Sequence, residues 1–429
     1  MSEKKLPCDR ALLEEIAAKY GTPYYLYDEA GIRRKAQEFR RAFSWAPEGS
    51  RNFYALKACP NHFILIMLAE EGMGVDCSSV AELELASRVG LTGNLIMFSS
   101  NSTTAQAYAE AARRGAIINI DDPAHIEILL QETGFPGTVC FRYNPGDEIQ
   151  GTAIIGKGTE AKFGCPSGMI ESAYRSMRDL AIEKGLQPEY GMHIMAGSNR
   201  LDTEYFSDVA GVMFGLAASL SEKLGIRFSF INLGGGIGVA YRPEEREPDL
   251  DSISSAISLQ YDAKIRTPGL DPIKIFMENG RAITGPHGFF VARAQHVESK
   301  HREYVRVDAA EAQFPRPGIY GAYHHIIIPG KEHEEHDHIY DVAGGMCENW
   351  KFAENRKLPE IRRGDLVVMC DAGAHCFAMI TNYNGWPKPP ELLLREDGSV
   401  MLIRRRQSTH EQYRDIPLAE LNRFSRKRR

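Results

Sequence analysis

Between residues 50 and 285 the chain alternates short apolar runs with longer stretches whose hydrophobic positions recur at i, i+3 and i+4. The short runs read as strands: Asn52–Leu56, Met73–Asp76, Leu95–Phe98, Ala116–Ile120, Thr138–Tyr143, Tyr190–Ile194, Phe228–Leu233 and Ile273–Glu278. The longer stretches, among them Val80–Val89, Thr104–Arg114 and Thr203–Leu224, read as helices. Eight such units over roughly 235 residues predict a (β/α)8 barrel of the TIM type, which typically runs to about 250 residues. A doubly wound open sheet shows the same alternation, but no ligand-crevice motif follows the first strand. After residue 286 the helical period fades. Tyr304–Val307, Ile339–Val342, Asp365–Met369 and Ser399–Arg404 read as strands between Gly and Pro turns, predicting a separate all-β domain, a sandwich or barrel. Pro23–Tyr27 reads as a further strand that packs with it. The expected division is therefore 1–30, 31–285 and 286–429.

Composition narrows the classes. With 43% hydrophobic and 25% charged residues the chain is neither disordered nor fibrous. A net charge of −6 gives no electrostatic reason to bind nucleic acid or an anionic membrane. No apolar run reaches the ~18–20 residues that span a bilayer, and Met1–Pro7 leads into no signal core, so a cytoplasmic location is expected. Eight scattered cysteines without a CxxC pair read as reduced thiols and argue against a zinc site; no metal is expected. His333-Glu334-Glu335-His336-Asp337-His338 has metal-ligand residue types, but the run is almost wholly charged and follows Pro329-Gly330, so it reads as an exposed loop. Arg423, Arg426, Lys427, Arg428 and Arg429 read as a solvated basic tail.

Barrel enzymes carry reactive groups at the C-terminal ends of their strands. Lys57 follows the first strand. It is either an exposed residue or a Schiff-base lysine whose pKa is lowered by its surroundings. The seventh strand ends in Gly234-Gly235-Gly236, which is either a tight turn or a phosphate cradle of open backbone amides. Glu278 and Arg281 end the eighth. They form either a structural pair, or a carboxylate for a ring nitrogen beside a guanidinium for a substrate carboxylate.

Lysine, cradle and carboxylate on one barrel face are what pyridoxal phosphate requires, and at these residues the chain resembles diaminopimelate decarboxylase, of the alanine-racemase-like fold type. The likeness runs through Tyr54-Ala55-Leu56-Lys57-Ala58, Gly74-Val75-Asp76-Cys77, Phe141-Arg142-Tyr143-Asn144, Gly197-Ser198 and Gly234-Gly235-Gly236. It continues in Glu278-xx-Arg281, Arg316-Pro317-xx-Tyr320, Met346-Cys347-Glu348 and Asn382-Tyr383-Asn384. The resemblance implies that Lys57 joins the cofactor aldehyde. Ser198, Gly234, Gly235 and Gly236 hold the phosphate, with Gly280 and Arg281 nearby. Glu278 meets the ring nitrogen, and Asp76, His193 and His375 belong to the same cofactor site. Arg281, Arg316, Tyr320 and His375 bind substrate, Cys347 donates a proton, and Glu348 meets the distal amino group. Cys347 and Glu348 come from the partner subunit of a homodimer with shared active sites. The reaction implied is decarboxylation of meso-2,6-diaminopimelate to L-lysine, the last step of lysine biosynthesis. The alternative is a related diamino acid such as D-ornithine or D-lysine. Glu278 separates the chain from racemases of this fold, and the residues after 286 from lone-barrel carriers. Three departures bear on specificity: Met195 replaces a His that stacks on the ring, His375 a Tyr, and Asn349 a Ser.

Overall fold

The computed structural model describes residues 4–150 and 158–426, apart from the side chains of Leu418, Asn422, Ser425 and Arg426. Of the expected N-terminal stretch and basic tail, residues 1–3 and 427–429 lie outside them. The chain divides into two compact units: Gly31–Pro286, and the residues up to Ala30 together with those from His287 onward.

The first unit is a closed barrel. Its strands are Arg51–Ala55, Gly74–Cys77, Ile96–Ser99, Ile117–Ile120, Thr138–Asn144, Glu189–Ile194, Phe228–Asn232 and Lys274–Met277. All neighbouring pairs are parallel, and the last strand pairs back on the first, with Phe276 opposite Arg51. Every boundary falls within one residue of the expected one, because the apolar runs coincide with strands buried on both faces. Large and small residues alternate across the interior. Phe276 stacks on Phe230 with ring centroids 4.6 Å apart and meets Phe53 edge-on at 4.9 Å. Glycine is required opposite these rings: a Cβ on Gly191 would lie 2.0 Å from Phe230, and one on Gly74 2.6 Å from Phe53. Truncating such a ring costs about 3–5 kcal/mol.

The outer helices start on local signals. Asp202 accepts from the Tyr205 amide at 3.0 Å and caps Thr203–Leu224, which ends at Gly225 with φ 65°. Its face carrying Phe206, Val209, Met213 and Phe214 is buried. Ser79 and Thr104 cap Val80–Arg88 and Ala105–Arg113 in the same way.

The second unit is mostly sheet. Tyr24–Asp28 runs antiparallel to Gly288–Ser299 and parallel to Glu391–Leu394, so the expected N-terminal strand is built into this sheet. Gly288–Ser299 also pairs with Glu303–Val307 and Leu366–Met369; His338–Ala343, Ala353–Leu358, Val400–Arg404 and Ile326–Ile327 complete the sheet. Leu13, Ile16, Tyr24, Leu26, Phe289, Val291, Val368 and Leu392 form one core. The expected β domain is thus present, with a few short helices beside its sheet. Arg10–Tyr20, Arg316–Tyr320, Thr409–Tyr413 and Leu418–Arg426 are helical, and Ser408 with Glu411 makes a capping box. The run His333–Asp337 is exposed loop, as expected. No helix among the described residues is long and apolar enough to cross a membrane.

Candidate active site

The barrel strands deliver polar groups to one mouth. Lys57 lies in the turn Leu56–Ala58 immediately after the first strand, its Nζ 3.6 Å from Asp76 Oδ2 of the second. Glu278, one residue past the last strand, is buried and receives three strands' donors. His193 Nε2 lies 3.1 Å from Oε2, while Asn232 Nδ2 and the Ser99 hydroxyl reach Oε1 at 2.7 and 3.4 Å. Ser99 in turn accepts from Asn119 at 2.6 Å, and Asn119 accepts from the Cys140 thiol at 2.9 Å. Polar groups from five other strands thus brace one buried carboxylate.

Charge follows from this geometry. Burial raises Glu278, but the imidazole of His193, the Lys57 ammonium and the Asn232 amide outweigh it and hold the carboxyl at about 2. Asp76 goes the other way. Burial and the Glu278 charge push it well above the usual carboxylate range, with Lys57 opposing. Lys57 itself is raised: loss of hydration favours its neutral form, but Asp76 and Glu278 together win. The expectation of a lowered lysine is corrected by these two carboxylates.

The seventh strand runs into the glycine turn. Gly234 has φ 69°, and a Cβ there would lie 2.2 Å from the Ile194 carbonyl; one on Gly235 would lie 2.4 Å from that of Glu278. The Gly234 amide donates to Asn232 Oδ1 at 2.9 Å. The Gly235 amide donates to the Met195 sulfur at 3.2 Å, a weak acceptor. Arg281 makes no ion pair with Glu278 among the described residues. Its Nη1 donates to the Tyr241 hydroxyl at 2.7 Å, and its Nη2 lies 3.5 Å from Ser198 Oγ. Gly280 is packed so closely that a Cβ would lie 2.8 Å from that of Ala58.

The remaining candidates belong to the second unit. Arg316 is buried, with Nη1 3.0 Å from His324 Nε2. His324 Nδ1 faces the Cys370 carbonyl at 2.8 Å, so Nδ1 carries the proton and Nε2 accepts from the guanidinium. Tyr320 ends the same short helix and is exposed; His375 sits in left-handed backbone at φ 57°. Cys347 is exposed and donates to Glu348 Oε2 at 3.3 Å, and the Tyr383 hydroxyl donates to Glu348 Oε1. The hydrogen bonds from Tyr383 and Cys347 hold Glu348 below the usual carboxylate range. Asn349 is exposed, and nothing in the structure explains it.

Several residues of the mouth carried no motif: Ser99, Asn119, Asn232 and Tyr241. The first three are lone polar residues at or near the ends of apolar barrel strands, which is the available signal.

A barrel that carries pyridoxal phosphate needs a lysine for the aldehyde, open amides for the phosphate and an anion for the ring nitrogen, and the first unit is of that class. The fit has structural support in the packed glycine turn and in polar atoms left for a ligand. Both Asp76 oxygens and His193 Nδ1 are buried without hydrogen-bond partners among the described residues. The pyridoxal-binding domain of the pyridoxal-dependent decarboxylases matches residues 29–285. Protein TabA of Pseudomonas amygdali pv. tabaci is 37% identical over 398 residues, covering 92% of this chain and 91% of that one. The diaminopimelate decarboxylase of Methanothermobacter thermautotrophicus is 34% identical over 398 residues, with the same coverage. The crystal structure of diaminopimelate decarboxylase from Helicobacter pylori complexed with L-lysine superposes with TM-score 0.84 at 29% identity, covering 96% of this chain and 100% of that one. The chain belongs to the pyridoxal-dependent decarboxylases, the family that includes the diaminopimelate decarboxylases; its cofactor is pyridoxal phosphate and it is a carboxy-lyase.

Proposed function

We propose that the protein removes one carboxylate of meso-2,6-diaminopimelate to give L-lysine and carbon dioxide, the last step of lysine biosynthesis. The observation that carries the substrate is Arg316. It is a buried guanidinium, with Nη1 3.0 Å from His324 Nε2, on a short helix of the second unit. A planar guanidinium takes a carboxylate with two parallel hydrogen bonds, which suits the distal carboxylate of diaminopimelate.

When bound, the cofactor supplies an electron sink for the pair left behind by carbon dioxide. Lys57 is the residue that would hold its aldehyde. Ser198, Gly234, Gly235, Gly236 and Gly280 would hold the phosphate, with Arg281 adjoining Ser198. Glu278 stays ionised and so can hold a proton at the ring nitrogen. Asp76 and His193 keep their open polar atoms for the same group. Arg281, Arg316, Tyr320 and His375 bind the substrate. Cys347 is the general acid that returns a proton to the reacting carbon, and Glu348 meets the distal amino group.

We read the protein as a cytoplasmic homodimer in which Cys347 and Glu348 serve the partner's barrel, with the domains expected from the chain. Cys347 stands exposed in a unit that also exposes Ile319, Tyr320, Trp350 and Tyr383. Such side chains suit a protein interface. Mixing inactive Lys57→Ala with inactive Cys347→Ala protein should restore activity, since one hybrid site then has both groups. No recovery in verified heterodimers would overturn the shared site.

A second reading, a decarboxylase of D-ornithine, D-lysine or a similar diamino acid, draws on Met195 and His375. The first presents sulfur to the Gly235 amide and the second holds imidazole in left-handed backbone, and both alter groups assigned to cofactor or substrate.

A further inference from the structure

The Cys347 thiol is held by a neighbouring turn. Its backbone N–H donates to Asn384 Oδ1 at 3.0 Å, and Asn384 Nδ2 donates to its Sγ at 3.4 Å. One amide therefore grips both ends of the residue. Asn384 sits in left-handed backbone at φ 55°, ψ 19°, which Asn tolerates better than most side chains. The turn is anchored on both flanks. Asn382 Nδ2 donates to the Trp386 carbonyl at 2.8 Å and to Gln407 Oε1 at 2.6 Å, while Tyr383 donates to Glu348.

We infer that Asn384 is a positioning residue for Cys347: its amide aims the thiol and receives the charge that forms on sulfur when the proton leaves. The inference rests on reading Cys347 as the proton donor. In that step the S–H bond breaks, the proton joins the substrate carbon, and the electron pair stays on sulfur as a thiolate. Solvent later returns the proton. Two hydrogen bonds meet at the sulfur. The Glu348 carboxylate accepts from S–H at 3.3 Å, while the Asn384 N–H donates to the same sulfur at 3.4 Å. The Tyr383 hydroxyl lies 3.6 Å from the sulfur and is turned to Glu348. Glu348 and Tyr383 are the titratable groups in contact with the thiol among the described residues. Asn384 is therefore the amide donor aimed at the sulfur where the charge forms.

The test uses the holoenzyme and two variants. Asn384→Gly keeps the left-handed turn and removes both contacts. Asn384→Asp keeps an acceptor for the Cys347 amide and removes the donor to sulfur. The readout is the pH profile of Cys347 alkylation by iodoacetamide, followed on its own peptide by mass spectrometry. The profile midpoint should rise by about one pH unit in Asn384→Gly and at least as far in Asn384→Asp. In Asn384→Gly kcat should fall roughly ten-fold, with KM changed less than about two-fold. Profiles that superpose on the wild type in both variants would overturn the inference. The alkylation profile needs no turnover, so it separates failure of this inference from failure of the decarboxylase reading.

Discussion

Glu278 and Glu348 are both ionised carboxylates that accept hydrogen bonds, and they differ in what surrounds them. Glu278 is buried, and its donors stand on three different barrel strands. Glu348 lies on a loop, with donors from its neighbour Cys347 and from Tyr383. A charge that must stay fixed is braced by a scaffold whose strands are themselves locked by packing. A charge beside a proton donor is held by one turn. The two sites should therefore respond differently to the loss of one partner.

The largest effect is expected at the lysine of the barrel mouth. Lys57→Ala should lower activity by about a thousand-fold or more, and borohydride should fix cofactor to the wild type and not to the variant. Glu278→Gln keeps the shape and removes the charge, so kcat should fall by roughly 10²–10³. Asn232→Leu tests the brace itself. It leaves a buried carboxylate short of a donor and should cost about 1–3 kcal/mol in denaturant unfolding. Glu348→Gln should cost activity and leave the unfolding midpoint unchanged. An equal loss of stability at both sites would break the contrast between them.

The smallest effect is a pH dependence of the cofactor-free protein. Glu278 is held low in the folded chain, so its contribution is present above its unfolded value of ~4.3 and is lost as the pH falls towards 2. Asp76 is raised, so its contribution is present below ~3.9 and is lost as the pH rises through its higher folded value. Asp76→Asn removes only the second. The variant should be more stable than wild type near neutral pH, with the gap closing as the pH approaches 4. A constant gap in urea titrations at several pH values would contradict the raised carboxyl.

The barrel strands were legible to within one residue because both of their faces are buried, so they read as unbroken apolar runs. The sheet unit was less so. Ala353–Leu358 is a charged strand with the sequence Ala-Glu-Asn-Arg-Lys-Leu, and among the described residues it pairs only with His338–Ala343. Charges suit an edge but hide the strand from a hydrophobic pattern. Gly288–Ser299 was missed because it begins at the unit boundary, buried over Gly288–Ala292, and becomes polar towards its end. Lys57, the glycine turn and Glu278 stood out as a constellation. The Ser99–Asn119–Cys140 arm did not, since each is one residue in an apolar run and only strand adjacency brings them together. The direction of the Lys57 shift was misread for the same reason: Asp76 and Glu278 are 19 and 221 residues away in sequence. The grip of Asn384 on Cys347 depends on one left-handed residue, which composition does not mark.

In the proposed function Arg316 serves the distal carboxylate of the substrate. Carbon dioxide release by the unmutated holoenzyme, compared across meso-diaminopimelate, D-lysine and D-ornithine, tests it most directly. A substrate without that carboxylate forgoes the paired hydrogen bonds to the guanidinium, a loss of about 3 kcal/mol. The specificity constant should therefore favour diaminopimelate by roughly two orders of magnitude or more. Equal or faster turnover of D-lysine or D-ornithine would contradict the account.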